Sequence, residues 1–215
     1  MSVAVKICGL NSPDAVAAAV AGGAHFLGFV FYPPSPRSLT PETAAALARG
    51  IPSGIARVGV VVDPDDALLA SVLAKVPLDM LQFHGAETPE RLAAVKRRFG
   101  IKAMKAIKVS GETDLQAAKT YFEVADWLMF DAKAPADLAN ALPGGNALAF
   151  DWALLRPRVW PRPWMLSGGL TVDNLAEAVR ISRAATVDVS SGVERRPGEK
   201  DPTKINAFLA RARAL

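Results

Sequence analysis

Cysteine occurs once in these 215 residues and histidine twice, so neither a disulfide framework nor a Cys-rich zinc module is open to the chain. Aromatic residues make up only 7%, and no charge of one sign dominates: 25 Lys and Arg face 21 Asp and Glu, a formal surplus of +4. The basic residues are dispersed except for Lys96-Arg97-Arg98 and Arg195-Arg196. Without a dense basic stripe interleaved with aromatics, nucleic acid is not an expected partner, whereas a mild positive surplus suits a small anionic substrate. No apolar run reaches the ~20 residues that cross a bilayer. Lys6 and Asn11 interrupt the apolar stretch near the N-terminus, and no signal-peptide layout follows. Cytoplasmic residence without a membrane partner is the expectation. A G-x-G-x-x-G after an early strand, the mark of a dinucleotide-binding doubly wound sheet, is also missing.

What the chain does have is alternation. Runs rich in Val, Ile, Leu and Phe begin near residues 3, 25, 56, 79, 102, 126, 163 and 185, at intervals of 22 to 37 residues. Each interval has room for one strand, one helix and two short loops. Most runs are apolar on both alternating sets, as expected of parallel strands covered by helices. Ser12-Pro13-Asp14, Thr40-Pro41-Glu42 and Thr88-Pro89-Glu90 each offer an N-cap followed by proline at the first helical position. Further helical segments are expected from Asp114, Thr171 and Pro202. Eight strand–helix pairs with no linker or composition shift predict a single (β/α)8 TIM barrel domain over residues 1–215, with a doubly wound sheet as the competitor. The longest interval holds Ala134-Pro135, Leu142-Pro143-Gly144-Gly145-Asn146 and Phe150-Asp151-Trp152. It reads either as a loop that covers a substrate or as a tolerated surface insertion.

In such a barrel the chemistry lies at the C-terminal ends of the strands. Reading off those ends gives Cys8, Arg37, Asp63, His84, Lys108, Asp131, Ser167-Gly168-Gly169 and Ser190-Ser191-Gly192. The last two groups follow strands seven and eight, where backbone N–H groups freed by glycine suit a phosphate; Thr171-Val172-Asp173-Asn174 reads as the helix start that adds its partial positive charge. Gly168, Gly169, Ser191 and Gly192 are the candidate phosphate ligands. Cys8 alone reads as readily as a small buried hydrophobe; its position at a strand end makes it a candidate base. A nearby phosphate raises a thiol pKa and Lys6 or a helix N-terminus lowers it, so the pattern leaves the sign open. Asp131, after Trp127-Leu128-Met129-Phe130, is a candidate general acid or the cap of the following loop. His84 is expected to order the mouth by hydrogen bonding, since one Cys and two His far apart make no metal cluster.

The segments KICGL at 6–10, GFVFYPPSPR at 28–37, GVVVD at 59–63, LQFHG at 81–85, FDAK at 130–133, FDW at 150–152, LSGGL at 166–170 and VDVSSGVE at 187–194 run the length of the chain. Together they make it resemble phosphoribosylanthranilate isomerase, the barrel enzyme of tryptophan biosynthesis. The resemblance implies an Amadori rearrangement of N-(5-phosphoribosyl)anthranilate to 1-(2-carboxyphenylamino)-1-deoxyribulose 5-phosphate, with no metal or organic cofactor. It makes Asp131 the acid that protonates the furanose ring oxygen and Cys8, as thiolate, the base that takes the C2′ proton. By the same resemblance Arg37 contacts the anthranilate carboxylate, and Asp188 holds the mouth or the substrate beside His84. As an arginine in a Pro-rich mouth loop, Arg37 is expected to have little packing to lose. One departure stands out: where the family usually reads Gly-Gly-Thr-Gly, this chain has Gly144-Gly145-Asn146-Ala147. The runner-up readings are an epimerase relative, which would use paired Asp and metal-binding His residues, an indole-glycerol-phosphate synthase relative, kept open by Lys6 and Lys108 but lacking the matching Glu set, and a non-enzymatic phosphate-binding module. The expected partner is a phosphorylated small molecule, and the expected assembly a monomer or homodimer.

Overall fold

A computed structural model of the chain describes residues 3–134, 144–145, 148–156 and 158–215. Eight strands, β1 (Ala4–Cys8), β2 (Phe26–Phe31), β3 (Ala56–Val61), β4 (Met80–Phe83), β5 (Lys102–Val109), β6 (Trp127–Ala132), β7 (Trp164–Leu166) and β8 (Thr186–Val189), pair in sequence order. All pairings are parallel, and β8 returns to β1 through Ala4↔Thr186 to Ile7↔Val189, closing a (β/α)8 barrel. Each strand begins within a residue of its apolar run. The reason is physical: a parallel strand buried on both faces has no polar position at which its pattern can blur.

Among the described residues seven α-helices cover the outside: α1 (Pro13–Ala21), α2 (Pro41–Ala48), α3 (Asp66–Lys75), α4 (Pro89–Phe99), α5 (Glu112–Ala117), α6 (Leu175–Ser182) and α7 (Pro202–Arg213). The predicted caps are in place, with the Ser12, Thr40 and Thr88 hydroxyls accepting from the N–H groups of Ala15, Thr43 and Arg91. Asp65 caps α3 in the same way, a start the sequence reading did not single out. Lys96-Arg97-Arg98 occupies the last turn of α4, where cations oppose the negative end of the helix dipole. Lys96 and Arg98 pair there with Asp126 and Asp66. Arg195 and Arg196 pair with Asp201 and Glu199 on a short antiparallel hairpin, β9 (Glu194–Arg196) and β10 (Glu199–Lys200). Both basic clusters are thus part of the scaffold. Among the described residues no helix is long and apolar enough to cross a membrane.

Strand alternation divides the barrel wall. Ile7, Leu27, Phe29, Phe31, Leu81 and Phe83 join the large core beneath the helices. Four of the five methionines lie in the core of the barrel itself, where Met80, Met104, Met129 and Met165 pack with Val58, Ala106, Phe26 and Trp127. Phe26 and Trp127 meet edge to face at 5.4 Å. This apolar packing is separate from a small upper group of Cys8, Val30, Val60 and Tyr32, which forms part of the wall of the mouth.

Candidate active site

The mouth encloses about 770 Å³ of non-protein space, counting the part open to solvent, a size in the usual range for a small-molecule site. Cys8, Arg37, His84, Asp131, Gly168, Gly169, Asp188 and Ser191 all line it. Asp63 and Lys108, two of the strand-end polar residues, do not. Asp63 instead accepts from the N–H of Ala86 at 2.7 Å.

Cys8 and Lys6 are two residues apart on β1 and both point into the barrel. Gly28, paired with Cys8 on β2, leaves them room: a Cβ there would lie 3.0 Å from Lys6 Nζ and 3.2 Å from Cys8 Sγ. Lys6 donates to Asp188 Oδ1 at 2.8 Å, and Ser167 Oγ donates to Asp188 Oδ2 at 3.1 Å. Asp188 is therefore committed first to Lys6. The sign left open for the thiol is now resolved. Burial pushes the Cys8 thiol up, Lys6 and Lys200 pull it back and Asp188 adds to the rise, with a net shift upward. Burial likewise opposes the charge on Lys6, but Asp188 and the cysteine beside it outweigh that, so its pKa is raised.

Across the barrel, Asp131 ends the inward row of β6. Its Oδ2 lies 3.0 Å from His84 Nε2, and its Oδ1 accepts from the N–H of Ala132 at 3.0 Å. Gln82 places its amide nitrogen 2.8 Å from His84 Nδ1. In that arrangement Nδ1 accepts, so Nε2 carries the hydrogen and donates it to Asp131. His84 is thus held between Gln82 and Asp131 by hydrogen bonds.

Gly168 and Gly169 have φ of 92° and 62°, a region that disfavours any side chain. Leu148 closes over them, so that a Cβ on Gly169 would sit 2.8 Å from its carbonyl oxygen. Among the described residues no protein acceptor takes the N–H groups of Gly168, Gly169, Ser191 or Gly192. Two expectations change here. The helix after strand seven starts at Leu175 rather than Thr171; Thr171 and Asn174 instead bond to each other, and Asn174 Nδ2 braces the glycine turn through Gly169 O at 2.9 Å. Because dipole effects fade beyond the first turn, the cradle rests on backbone donors more than on that helix. Gly192 is also absent from the cavity wall: its α-carbon faces Leu170, whose carbonyl oxygen a Cβ would approach to 2.0 Å. Its lack of a side chain serves packing.

The largest revision concerns Arg37. It is only 5% exposed, and its Nε and Nη2 donate to Glu194 Oε1 and Oε2 at 2.8 and 2.9 Å. Lys200 donates to the same Glu194 Oε1 at 2.7 Å and to Ser190 O at 2.9 Å. Far from having little to lose, Arg37 is fixed in a buried charge network. Arg37→Ala is therefore expected to destabilise the fold as well as weaken binding. Removing one partner of a buried pair costs about 3–5 kcal/mol, or a melting temperature lower by roughly 6–15 °C in a chain of this size. Thermal unfolding followed by circular dichroism checks it; an unchanged Tm would show that Lys200 alone satisfies Glu194.

Gly144 and Gly145, from the long loop, also line the cavity. A Cβ on Gly144 would lie 2.8 Å from the His84 ring, and Gly145 O accepts from Arg37 Nη2 at 3.4 Å. Asn146 and Ala147, where the chain departs from the family motif, lie outside the described residues, as do 135–143. Sequence reasoning missed Glu194, Lys200 and Gln82. Glu194 stood in the quoted VDVSSGVE segment, but nothing local marked its pairing with Arg37.

The model of the family described as N-(5′-phosphoribosyl)anthranilate (PRA) isomerase matches residues 5–211. The N-(5′-phosphoribosyl)anthranilate isomerase of Rhodospirillum centenum is 61% identical over 215 residues, covering all of both chains. The crystal structure of phosphoribosyl anthranilate isomerase from Thermotoga maritima superposes with a TM-score of 0.88 at 37% identity, covering 99% of this chain and all of that one. A phosphoribosyl anthranilate isomerase in complex with reduced 1-(o-carboxyphenylamino)-1-deoxyribulose 5-phosphate superposes at 0.85 with 36% identity, again over 99% of this chain and all of the other. With a closed eightfold barrel, an acid and a thiol facing one cavity and matches over its whole length, the chain belongs to the N-(5′-phosphoribosyl)anthranilate isomerase family.

Proposed function

We propose that this barrel converts N-(5-phosphoribosyl)anthranilate to 1-(2-carboxyphenylamino)-1-deoxyribulose 5-phosphate, with Asp131 as general acid and Cys8 as general base. The observation that carries the assignment is the placing of these two groups on β6 and β1, in one cavity between a free N–H cradle and an arginine. The phosphate sits on the Gly168-Gly169 and Ser191 backbone, and the anthranilate carboxylate faces Arg37. Held at both ends, the sugar presents its reacting atoms to fixed groups.

Asp131 gives its proton to the furanose oxygen as the C1′–O bond breaks and the anilino nitrogen lone pair closes a C1′=N bond. The carboxylate left behind is met by donors already in place, His84 Nε2 and the Ala132 N–H, so the charge that develops needs no reorganisation. Cys8 thiolate then removes the C2′ proton, and the electron pair forms C1′=C2′ while neutralising the iminium. Loss of the C2′ hydroxyl proton and protonation at C1′ complete the ketone. The atoms balance with no external oxidant or reductant. The raised thiol pKa implies that the free enzyme holds the thiolate as the minor form near neutrality, with Lys6 keeping that form within reach.

The direct test is the loss of fluorescence of freshly prepared phosphoribosylanthranilate on adding purified protein; folded protein that leaves it unchanged refutes the assignment. Activity is also expected to be indifferent to EDTA, because among the described residues no three His, Cys, Asp or Glu side chains group as metal ligands. Loss on chelation with recovery on adding a divalent ion is the contrary outcome.

A further inference from the structure

We infer that Glu194, backed by Lys200, is the positioning residue that aims Arg37 and thereby sets the preference for an aryl group bearing a carboxylate. The inference rests on the reading above that Arg37 meets this carboxylate. Nε and Nη2 of the guanidinium are taken by Glu194, so its plane is fixed by a two-point contact. Among the described residues the two hydrogens on Nη1 have no protein acceptor, and Arg37 lines the cavity. Nη1 also lies against the Gly144–Gly145 loop, where a Cβ on Gly145 would come within 2.8 Å of it.

Charge counting gives the same answer. Arg37, Lys200 and Glu194 are all buried and form a wall with two cations and one anion. Burial opposes ionisation of Glu194, but Arg37 and Lys200 overcome it and hold its carboxyl below the ordinary range. One positive charge is left over at a water-poor surface, which a carboxylate from the substrate neutralises. The network also reaches the anion cradle. Lys200 Nζ grips Ser190 O and Oγ at 2.9 and 3.1 Å, and Glu194 Oε2 accepts from the Gly198 N–H at 3.3 Å. The hairpin thereby ties the arginine to the loop after β8, fixing the span between the two anionic ends of the substrate.

The experiment compares phosphoribosylanthranilate with its aniline analogue, which lacks the carboxylate. In Glu194→Gln the guanidinium loses its charged two-point clamp. KM for the carboxylated substrate is expected to rise roughly ten- to hundredfold, the worth of a hydrogen bond to a charged group. KM for the analogue and kcat for both should change less than about threefold, so that discrimination collapses. Because Glu194→Gln leaves two buried cations short of a partner, the doubly substituted Glu194→Gln/Lys200→Met, which restores the net charge, is measured beside it. Recovered stability with discrimination still lost supports positioning; recovered discrimination shows that charge balance alone mattered and overturns the inference. An equal rise in KM for both substrates also overturns it. Arg37→Gln separates the two readings. If it discriminates normally, the assignment of Arg37 itself fails, whereas if it does not but the Glu194 variants do, only the present inference fails.

Discussion

Replacing Asp131 by Asn or Cys8 by Ser is expected to lower kcat by roughly 10²–10⁴, the usual worth of a positioned acid or base. Both substitutions keep size, so the loss reports chemistry. The amide introduced by Asp131→Asn cannot release a proton to the ring oxygen, and it faces two donors, His84 Nε2 and the Ala132 N–H, with a single acceptor oxygen. A small drop in stability accompanies the loss of rate. Serine in place of Cys8 does not ionise at working pH. KM should move less, because Arg37 and the glycine turn belong to other strands and are untouched. The two losses are not expected to add, since residues that serve one proton-transfer sequence act as a unit. The pH profile supplies the signature. With its thiol raised by burial, Cys8 gives kcat/KM an acidic limb that climbs tenfold per pH unit up to or beyond the ordinary thiol value of about 8.5. In Cys8→Ser that limb disappears. Near wild-type kcat in Cys8→Ser at neutral pH would reduce the cysteine to packing and leave the base unassigned.

The parts of this site that were legible in the sequence are those that a strand carries to its own C-terminal end. Cys8, His84 and Asp131 each follow or close an apolar run, and barrel topology brings those positions to one face without any knowledge of what they touch, whereas Asp188, inside its strand between Val187 and Val189, was named only through the family resemblance. The glycine turns were legible for a similar reason, because a backbone at positive φ leaves a residue-type mark. Arg37 was legible as a position but not as an environment. Its partner Glu194 lies 157 residues away, and Asp188 lies 182 residues from Lys6. No local period encodes such pairings, so a Pro-rich loop suggested exposure where the β9–β10 hairpin in fact covers the guanidinium. The start of α6 was misplaced because Thr171 and Asn174 carry cap chemistry and use it to brace Gly169 rather than to open a helix.

Lys6→Met is expected to give a second large effect, with two separable parts. Methionine preserves the stem, but Asp188 is left buried with Ser167 as its remaining side-chain partner. Orphaning one member of a buried pair costs about 3–5 kcal/mol, so Tm should fall by roughly 6–15 °C. The catalytic part follows from Lys6 being the strongest of the charges that draw the Cys8 thiol down against burial. Without it the thiol rises further, the thiolate fraction at neutral pH falls tenfold for each unit of rise, and kcat/KM falls with it. Lys6 itself does not titrate in this window. Its own pKa is raised in the fold, so its contribution to stability is complete below the free lysine value of about 10.4 and is lost only as pH climbs through the higher folded value. Stability between pH 6 and 9 should therefore differ by a constant amount between wild type and Lys6→Met, while kcat/KM of the variant runs below wild type by a constant factor along the shared acidic limb, the two converging only above the raised wild-type thiol value. Measuring Tm and kcat/KM across that range separates the two. A uniformly lower Tm with a superimposable pH profile would mean that Lys6 only braces Asp188, and that another group brings the Cys8 thiolate within reach.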